Sequence, residues 1–183
     1  SRASRPATPV RLAQTLGLAK PMLPFRRAYL LLLLLALASL ARAGTSEGVR
    51  LVQALYAEYA WEAGDSLATT TPFIDEPRDR LARFLESGLA DLLRKDRECV
   101  ERTREICKLS FSPLWASQDP RGAHVQILRT QDPRTVRVRL VYPSPVTPVV
   151  LSYRLVDTPV GLRISDIVYS RGASLRRQLG GKE

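Results

Sequence analysis

The stretch Arg134-Thr-Val-Arg-Val-Arg-Leu-Val-Tyr142 decides the fold of this chain of 183 residues. On a strand, one face of this stretch carries the apolar side chains of Val136, Val138, Leu140 and Tyr142. Arg137 and Arg139 then point to the other face, because successive side chains of a strand alternate between its two sides. A strand with one apolar and one basic face predicts an antiparallel sheet that covers a core on one side and meets water on the other.

Three similar runs flank this strand, at residues 122–130, 148–156 and 161–169. Two of the links between the runs are short and rich in turn residues, namely Gln131-Asp-Pro133 and Asp157-Thr-Pro-Val-Gly161. Such short links join antiparallel neighbours, because a parallel crossover needs about a dozen residues or more. The sequence therefore predicts a meander of about four antiparallel strands.

Helical patterns precede the sheet. Apolar residues recur at helical spacing over 46–63, and a second apolar stripe belongs to a helix that we expect from Pro77 to about residue 98. A last helical turn is expected over 174–179. Helices followed by antiparallel strands predict an α+β fold, in which two or three N-terminal helices pack on the concave face of a curved, cone-like sheet.

Residues 1–43 have the features of an export leader. Met22 opens a segment with two adjacent arginines, Tyr29–Leu40 is a leucine-rich apolar run, and Ala41-Arg-Ala43 supplies the small residues that a signal peptidase reads. The alternative is a transmembrane anchor. The apolar run is too short for that, because an anchor needs about 20 apolar residues to cross a bilayer.

We therefore predict a signal peptide over residues 22–43 that is cleaved between Ala43 and Gly44. Residues 1–21 are read as an over-extended reading frame or a disordered stub. Residues 44–183 are expected to form a single domain in a bacterial periplasm, or secreted from the cell. Contact with a membrane is then expected only through the signal peptide before cleavage.

The excess of positive charge belongs mostly to the leader. The whole chain has a formal charge of +10, but residues 1–43 hold seven basic and no acidic side chains. Residues 44–183 hold the other 21 basic and all 18 acidic side chains, which leaves a net charge of +3. A domain with that balance has an ordinary soluble surface, so the charge argues against a nucleic acid partner.

Cys99 and Cys107 are the only two cysteines. In an exported protein an even, minimal count favours one disulfide, with two separate thiols as the alternative. Eight residues of one helix rise about 12 Å, and bridged Cα atoms lie within roughly 7 Å, so a disulfide requires the helix to end between the cysteines. Two cysteines and the lone His124 do not make a four-ligand metal site, and we expect neither a metal nor a cofactor.

Several short motifs between residues 48 and 180 suggest a family. They are Leu55-Tyr-Ala-Glu-Tyr59, Phe111-Ser-Pro113, Gln118-Asp119, Leu162-Arg-Ile-Ser-Asp-Ile-Val-Tyr169 and Ser174-Leu175. In these motifs the chain resembles secreted bacterial proteins of the domain-of-unknown-function 3828 family, within the nuclear-transport-factor-2-like, or cystatin-like cone, superfamily. The resemblance implies an exported protein with a cone fold and implies no established activity.

Asp166 is the candidate general base. It follows Leu162 and Ile164 in phase on the last predicted strand, so its carboxylate would face the inside of the cone, with Tyr59 placed to polarise a substrate. The alternative is a structural carboxylate that accepts backbone hydrogen bonds or pairs with an arginine. His124 is read as a surface or edge histidine, because no serine or cysteine stands in a nucleophile context near it.

Two other groups of residues are candidates for binding. Tyr56, Tyr59, Trp61 and Trp115 would line a pocket, or, as aromatics at helical spacing usually do, fill the core. Arg137, Arg139 and Arg154 would form a basic stripe on the outer sheet face. That stripe either contacts an anionic partner or is simply a solvated face.

These residues leave three functional hypotheses. The first is a non-catalytic binding or protein-interaction module whose partner is a periplasmic protein or an envelope component. The second is a small cone-fold enzyme, a lyase, isomerase or hydrolase, which requires Asp166 within hydrogen-bond reach of an open cavity. The third is an immunity or inhibitor protein, which a neighbouring toxin gene would support.

Overall fold

The four predicted strands form an antiparallel sheet in the order β1-β2-β3-β4. The computed structural model describes residues 46–64, 70–143 and 147–182. The strands are β1 (His124–Leu128), β2 (Thr135–Val141), β3 (Val149–Thr158) and β4 (Gly161–Val168). Each strand pairs with the next along the chain, which confirms the predicted meander.

Strand β2 has the two faces that its sequence predicts. Val136, Val138 and Leu140 are buried, and Arg137 and Arg139 are exposed. Val138 lies opposite Ile127 on β1 and Leu151 on β3, so the apolar face continues across three strands. Burial of this face against the helices is the main stabilising contribution of the core.

Helix α1 (Glu47–Glu58) lies against the buried face of the sheet. Its N-cap is Ser46, whose Oγ accepts a hydrogen bond from the amide of Val49 at 3.3 Å. The buried residues of this helix are Gly48, Val52, Leu55 and Tyr56. Gly48 is the point of closest approach, because a β carbon at that position would overlap the side chain of Leu155.

The second predicted helix is wrong in its extent. Helix α2 (Arg78–Leu81) is one turn long, and helix α3 (Ser87–Thr103) follows only after a non-helical segment, Phe84–Glu86. The backbone of that segment pairs with β4: the amide of Ile164 donates to the carbonyl of Phe84 at 2.9 Å, and Ile164 accepts from Glu86 at 2.8 Å. These hydrogen bonds replace those of a continuous helix, and apolar spacing alone does not separate the two conformations.

The disulfide between Cys99 and Cys107 is present, as predicted. Helix α3 ends at Thr103, and Arg104 adopts a left-handed conformation with a φ of 62°. This turn brings the Cα atoms of the two cysteines to 6.2 Å. The buried carboxylate of Asp96 holds the same loop, because it accepts hydrogen bonds from the amides of residues 108 and 109 at 2.7 and 3.2 Å.

Thr45–Glu183 forms one compact unit. The predicted signal peptide at 22–43 and its cleavage site between Ala43 and Gly44 lie outside the described residues. In the part of the chain that is described, no helix has the length and apolarity needed to cross a membrane. The disulfide fits a protein that resides in an oxidising compartment.

Candidate functional site

Of the four aromatic residues predicted to line a pocket or fill the core, Tyr56, Tyr59 and Trp115 are buried in the core. Tyr56 and Trp115 are 5% and 2% exposed, and their rings meet edge to face with centroids 5.3 Å apart. The hydroxyl of Tyr56 donates to the carbonyl of Leu114 at 2.8 Å and lies 2.7 Å from the hydroxyl of Tyr153. The hydroxyl of Tyr56 is therefore not free to bind a ligand.

The connector at residues 113–115 is held by tyrosines. Its three successive carbonyl groups each accept a hydrogen bond from a tyrosine hydroxyl. The pairs are Tyr169 with Pro113, Tyr56 with Leu114 and Tyr142 with Trp115. Burial raises the pKa of each of these tyrosines above its ordinary value. The tyrosines satisfy buried carbonyl groups that would otherwise have no hydrogen-bond partner.

Asp166 is engaged within the protein through both of its carboxylate oxygens. Oδ1 accepts hydrogen bonds from the amides of Ile167 and Arg176, each at 2.9 Å. Oδ2 accepts from the hydroxyl of Ser174 at 2.5 Å and lies 4.0 Å from the guanidinium of Arg154. Asp166 thus fixes the start of the last helical turn, α4 (Leu175–Gln178), as the structural alternative predicts.

This arrangement argues against the general-base role that the enzyme hypothesis gives to Asp166. A general base needs a free oxygen that faces a reacting proton. Tyr59 is likewise occupied, because its hydroxyl donates to Oε1 of the buried Glu76 at 3.2 Å. Burial and the charge of Glu76 raise the pKa of Tyr59, which keeps its phenol neutral.

The remaining predicted site residues lie on the outer face of the sheet. Arg137, Arg139 and Arg154 are exposed, and so is His124 at the start of β1. Among the described residues no group of three or more histidine, cysteine, aspartate or glutamate side chains is arranged to hold a metal ion.

An open apolar groove of about 440 Å³ lies beside the disulfide loop, and of the aromatic residues predicted to line a pocket only Trp61 borders it. It is bordered by the short helix Ala60–Ala63, the end of α3, the loop 104–110 and residues 111–112 and 118–120. Its apolar lining residues are Trp61, Pro72, Ile74, Val100, Ile106, Leu109, Phe111 and Pro120. Concave surfaces that are mostly apolar and carry a few polar groups are the usual places for ligands to bind.

Glu62 is a largely buried carboxylate in the wall of the groove, and its pKa is shifted from the ordinary value. Its Oε1 accepts a hydrogen bond from the amide of Phe73 at 2.7 Å, and its Oε2 accepts from Ser112 Oγ at 3.0 Å. Burial raises the pKa of the Glu62 carboxyl, although these hydrogen bonds and the indole of Trp115 act in the opposite direction. Arg97 on the opposite wall is paired with Asp75, with Nε and Oδ1 2.8 Å apart.

Ile106 forms the exposed part of the groove wall. Its side chain is 70% exposed, which is unusual for a large aliphatic residue. It lies on the loop that the disulfide closes, between Arg104 and Cys107. The sequence gives one indication of this exposed site: an isoleucine stands among polar residues in the segment between the two cysteines.

No protein-family model matches the chain, and no curated protein sequence matches it. Among solved structures, the chain is similar to a phospholipid-binding protein from Ralstonia solanacearum in complex with a phospholipid. The sequence identity is 18% and the TM-score 0.31, and the match covers 73% of this chain and 59% of that one. This chain therefore spans less than two thirds of the other protein's length, and a likeness at this level carries no argument about function.

Proposed function

We propose that this is an exported, non-catalytic interaction module whose groove beside the disulfide loop binds a short apolar segment of a partner protein. The observation that carries the proposal is the groove itself, an apolar surface that ends at the exposed side chain of Ile106. Exposed apolar residues that adjoin a concave apolar surface are typical of interaction sites.

The open form of the groove favours a protein segment over a free small molecule. Sites for small molecules enclose most of the ligand surface, whereas this groove is open to solvent along one side. A segment that stays attached to a larger body covers both the groove and the rim at Ile106. Trp61 and Phe111 give the groove aromatic walls, and aromatic residues contribute strongly to the energy of protein interfaces.

The polar groups of the groove support binding rather than chemistry. Glu62 already accepts two hydrogen bonds from the protein, and Arg97 is paired with Asp75. Groups that are satisfied in this way can orient a ligand, but they offer no free base or nucleophile.

Export and family membership are part of the same proposal. The signal peptide pattern at 22–43 and the disulfide both favour an oxidising compartment outside the cytoplasm. The order of elements, from a first helix through the connector to a four-stranded meander and a short last helix, agrees with membership of the domain-of-unknown-function 3828 family.

The test compares two variants in the native envelope. Ile106→Asp places a charge in the groove wall, and Val160→Asp changes a side chain of similar exposure, 73%, in the turn between β3 and β4. Each variant and the parent protein are captured from solubilised envelope, and the proteins that co-purify are quantified by mass spectrometry.

We expect a partner whose recovery falls at least tenfold with Ile106→Asp and stays unchanged with Val160→Asp. A fragment of that partner should then bind the purified protein, and the fragment should contain an apolar run. If the two variants lose the same proteins, or if only a small molecule is extracted from the groove, the proposal is wrong.

A further inference from the structure

The outer face of the sheet carries three arginines with little or no acidic pairing among the described residues. Arg137 and Arg139 are exposed neighbours on the same side of β2, and neither has an acidic partner within residues 46–64, 70–143 and 147–182. Arg154, at the outer face of β3, has only the buried Asp166 at 4.0 Å.

About half of the fifteen other arginines among the described residues are paired with an acidic side chain. Eight of them lie within 4.0 Å of a carboxylate oxygen: Arg78, Arg80, Arg83, Arg94, Arg97, Arg121, Arg134 and Arg176. The outward positions of β1, β2 and β3 hold no acidic side chain that faces Arg137 or Arg139. Two like charges roughly 7 Å apart on one strand repel each other, so this face is complementary to an anionic surface.

Aliphatic side chains lie between these charges. The register places Arg137 beside Leu128 of β1, and Arg139 beside Val150 of β3. Val156, two residues along the same strand face from Arg154, is among the exposed large hydrophobic residues. The outer face is therefore a mixture of guanidinium groups and short aliphatic chains.

We propose that this face docks on the surface of an anionic phospholipid bilayer. Guanidinium groups form strong hydrogen bonds with phosphate, and the aliphatic side chains between them can enter the boundary between headgroups and acyl chains. The mixture favours a bilayer over an acidic protein surface, which would pair the charges and leave the aliphatic residues without an apolar partner. The proposal is independent of the groove, which is formed by other elements.

The experiment measures co-sedimentation with vesicles of phosphatidylcholine alone or of phosphatidylcholine mixed with phosphatidylglycerol. The protein is purified from an exporting bacterial host, and mass spectrometry verifies that all variants share one N-terminus. The test variant is Arg137→Glu with Arg139→Glu. The control is Lys95→Glu with Arg102→Glu, two exposed positions of α3 that give the same change in net charge.

We expect binding to the anionic vesicles that weakens with added salt and is absent with phosphatidylcholine alone. Each arginine near an anionic bilayer contributes roughly fivefold in affinity, so the test variant should bind at least tenfold more weakly. The affinity of the control variant for the anionic vesicles should stay within about twofold of that of the parent protein, because only the charges on the sheet face contact the bilayer.

The alternatives have distinct results. Equal losses in the two variants would mean that net charge alone is measured, and no binding of the parent protein to the anionic vesicles would also overturn the proposal. Circular dichroism and urea unfolding verify the fold of each variant, and Arg137→Gln with Arg139→Gln replaces the charge reversal if that variant does not fold.

Discussion

Tyr56 and Tyr153 share a hydrogen bond in the middle of the core, with their hydroxyl oxygens 2.7 Å apart. Because Tyr56 uses its own proton for the carbonyl of Leu114, the proton between the two hydroxyls belongs to Tyr153. The two hydrogen bonds therefore run in one direction, from Tyr153 on β3 to Tyr56 on α1 and from there to the connector. The hydroxyl of Tyr56 has two hydrogen-bond partners and that of Tyr153 has one.

The first prediction follows from that direction. Tyr153→Phe removes one donor and leaves the bond from Tyr56 to Leu114 intact, so it should lower the free energy of unfolding by about 1 kcal/mol. Tyr56→Phe leaves both a carbonyl and a hydroxyl without a partner and should cost about 2–3 kcal/mol. Urea unfolding at neutral pH measures both values. Equal losses would contradict the assigned direction of the bond.

The second prediction concerns alkaline pH. Burial raises the pKa of Tyr56, Tyr153 and Tyr169 in the folded state, whereas an unfolded tyrosine titrates near 10. The folded protein then holds protons that the unfolded chain releases, so stability is complete below about pH 10 and falls as the pH rises further. Phenolate absorbance should show these three residues titrating only as the protein unfolds. A reversible titration near pH 10 without unfolding would show that they are accessible.

The third prediction concerns the disulfide. Cys99→Ser with Cys107→Ser should lower the free energy of unfolding by about 2–3 kcal/mol, because the unfolded chain loses the constraint of a short closed loop. The fold itself should remain, because Asp96 still accepts the amides of Lys108 and Leu109. Hydrogen exchange should then accelerate mainly in the loop that carries Ile106. Faster exchange throughout the sheet would contradict this local effect.

The fourth prediction concerns Glu62. Its folded-state pKa is raised above the ordinary 4.5, so the folded protein binds its proton more tightly than the unfolded chain does. The stability that this proton contributes is complete below about pH 4.5 and is lost as the pH rises through the raised value.

Glu62→Gln should therefore flatten the pH dependence of the urea midpoint above about pH 4.5, while it keeps a carbonyl oxygen for the amide of Phe73. Glu98→Gln on the exposed face of α3 is the control. The assignment fails if the two variants have the same pH profile, because burial of Glu62 would then have no effect on titration.

The meander was predictable because a half-buried strand has apolar and polar residues in alternation, as residues 136–140 do. The disulfide was predictable only conditionally, since nothing in the sequence between Cys99 and Cys107 marks the left-handed turn at Arg104. The break at Phe84–Glu86 was not predictable, because its apolar residues fit a helix as well as a strand edge.

The candidate groove was not predictable for a different reason. Its walls come from segments far apart in sequence, such as Trp61 and Phe111, and only the folded chain brings them together. The role of Asp166 was equally open, because the pattern that places a carboxylate on an apolar face does not show whether Ser174 and the amide of Arg176 reach it.

The pairing of Phe84–Glu86 with β4 has a consequence for self-association. A strand edge with free amide and carbonyl groups can pair with a strand from another molecule, and here the chain itself pairs with the edge of β4 at Ile164 and, through Ser174, at Val168. Within the described residues, only the short β1 then remains as an open edge, and Arg129 follows directly after its last residue. Aggregation by strand addition is therefore expected at the edge of β1, and a destabilised variant should begin to aggregate there.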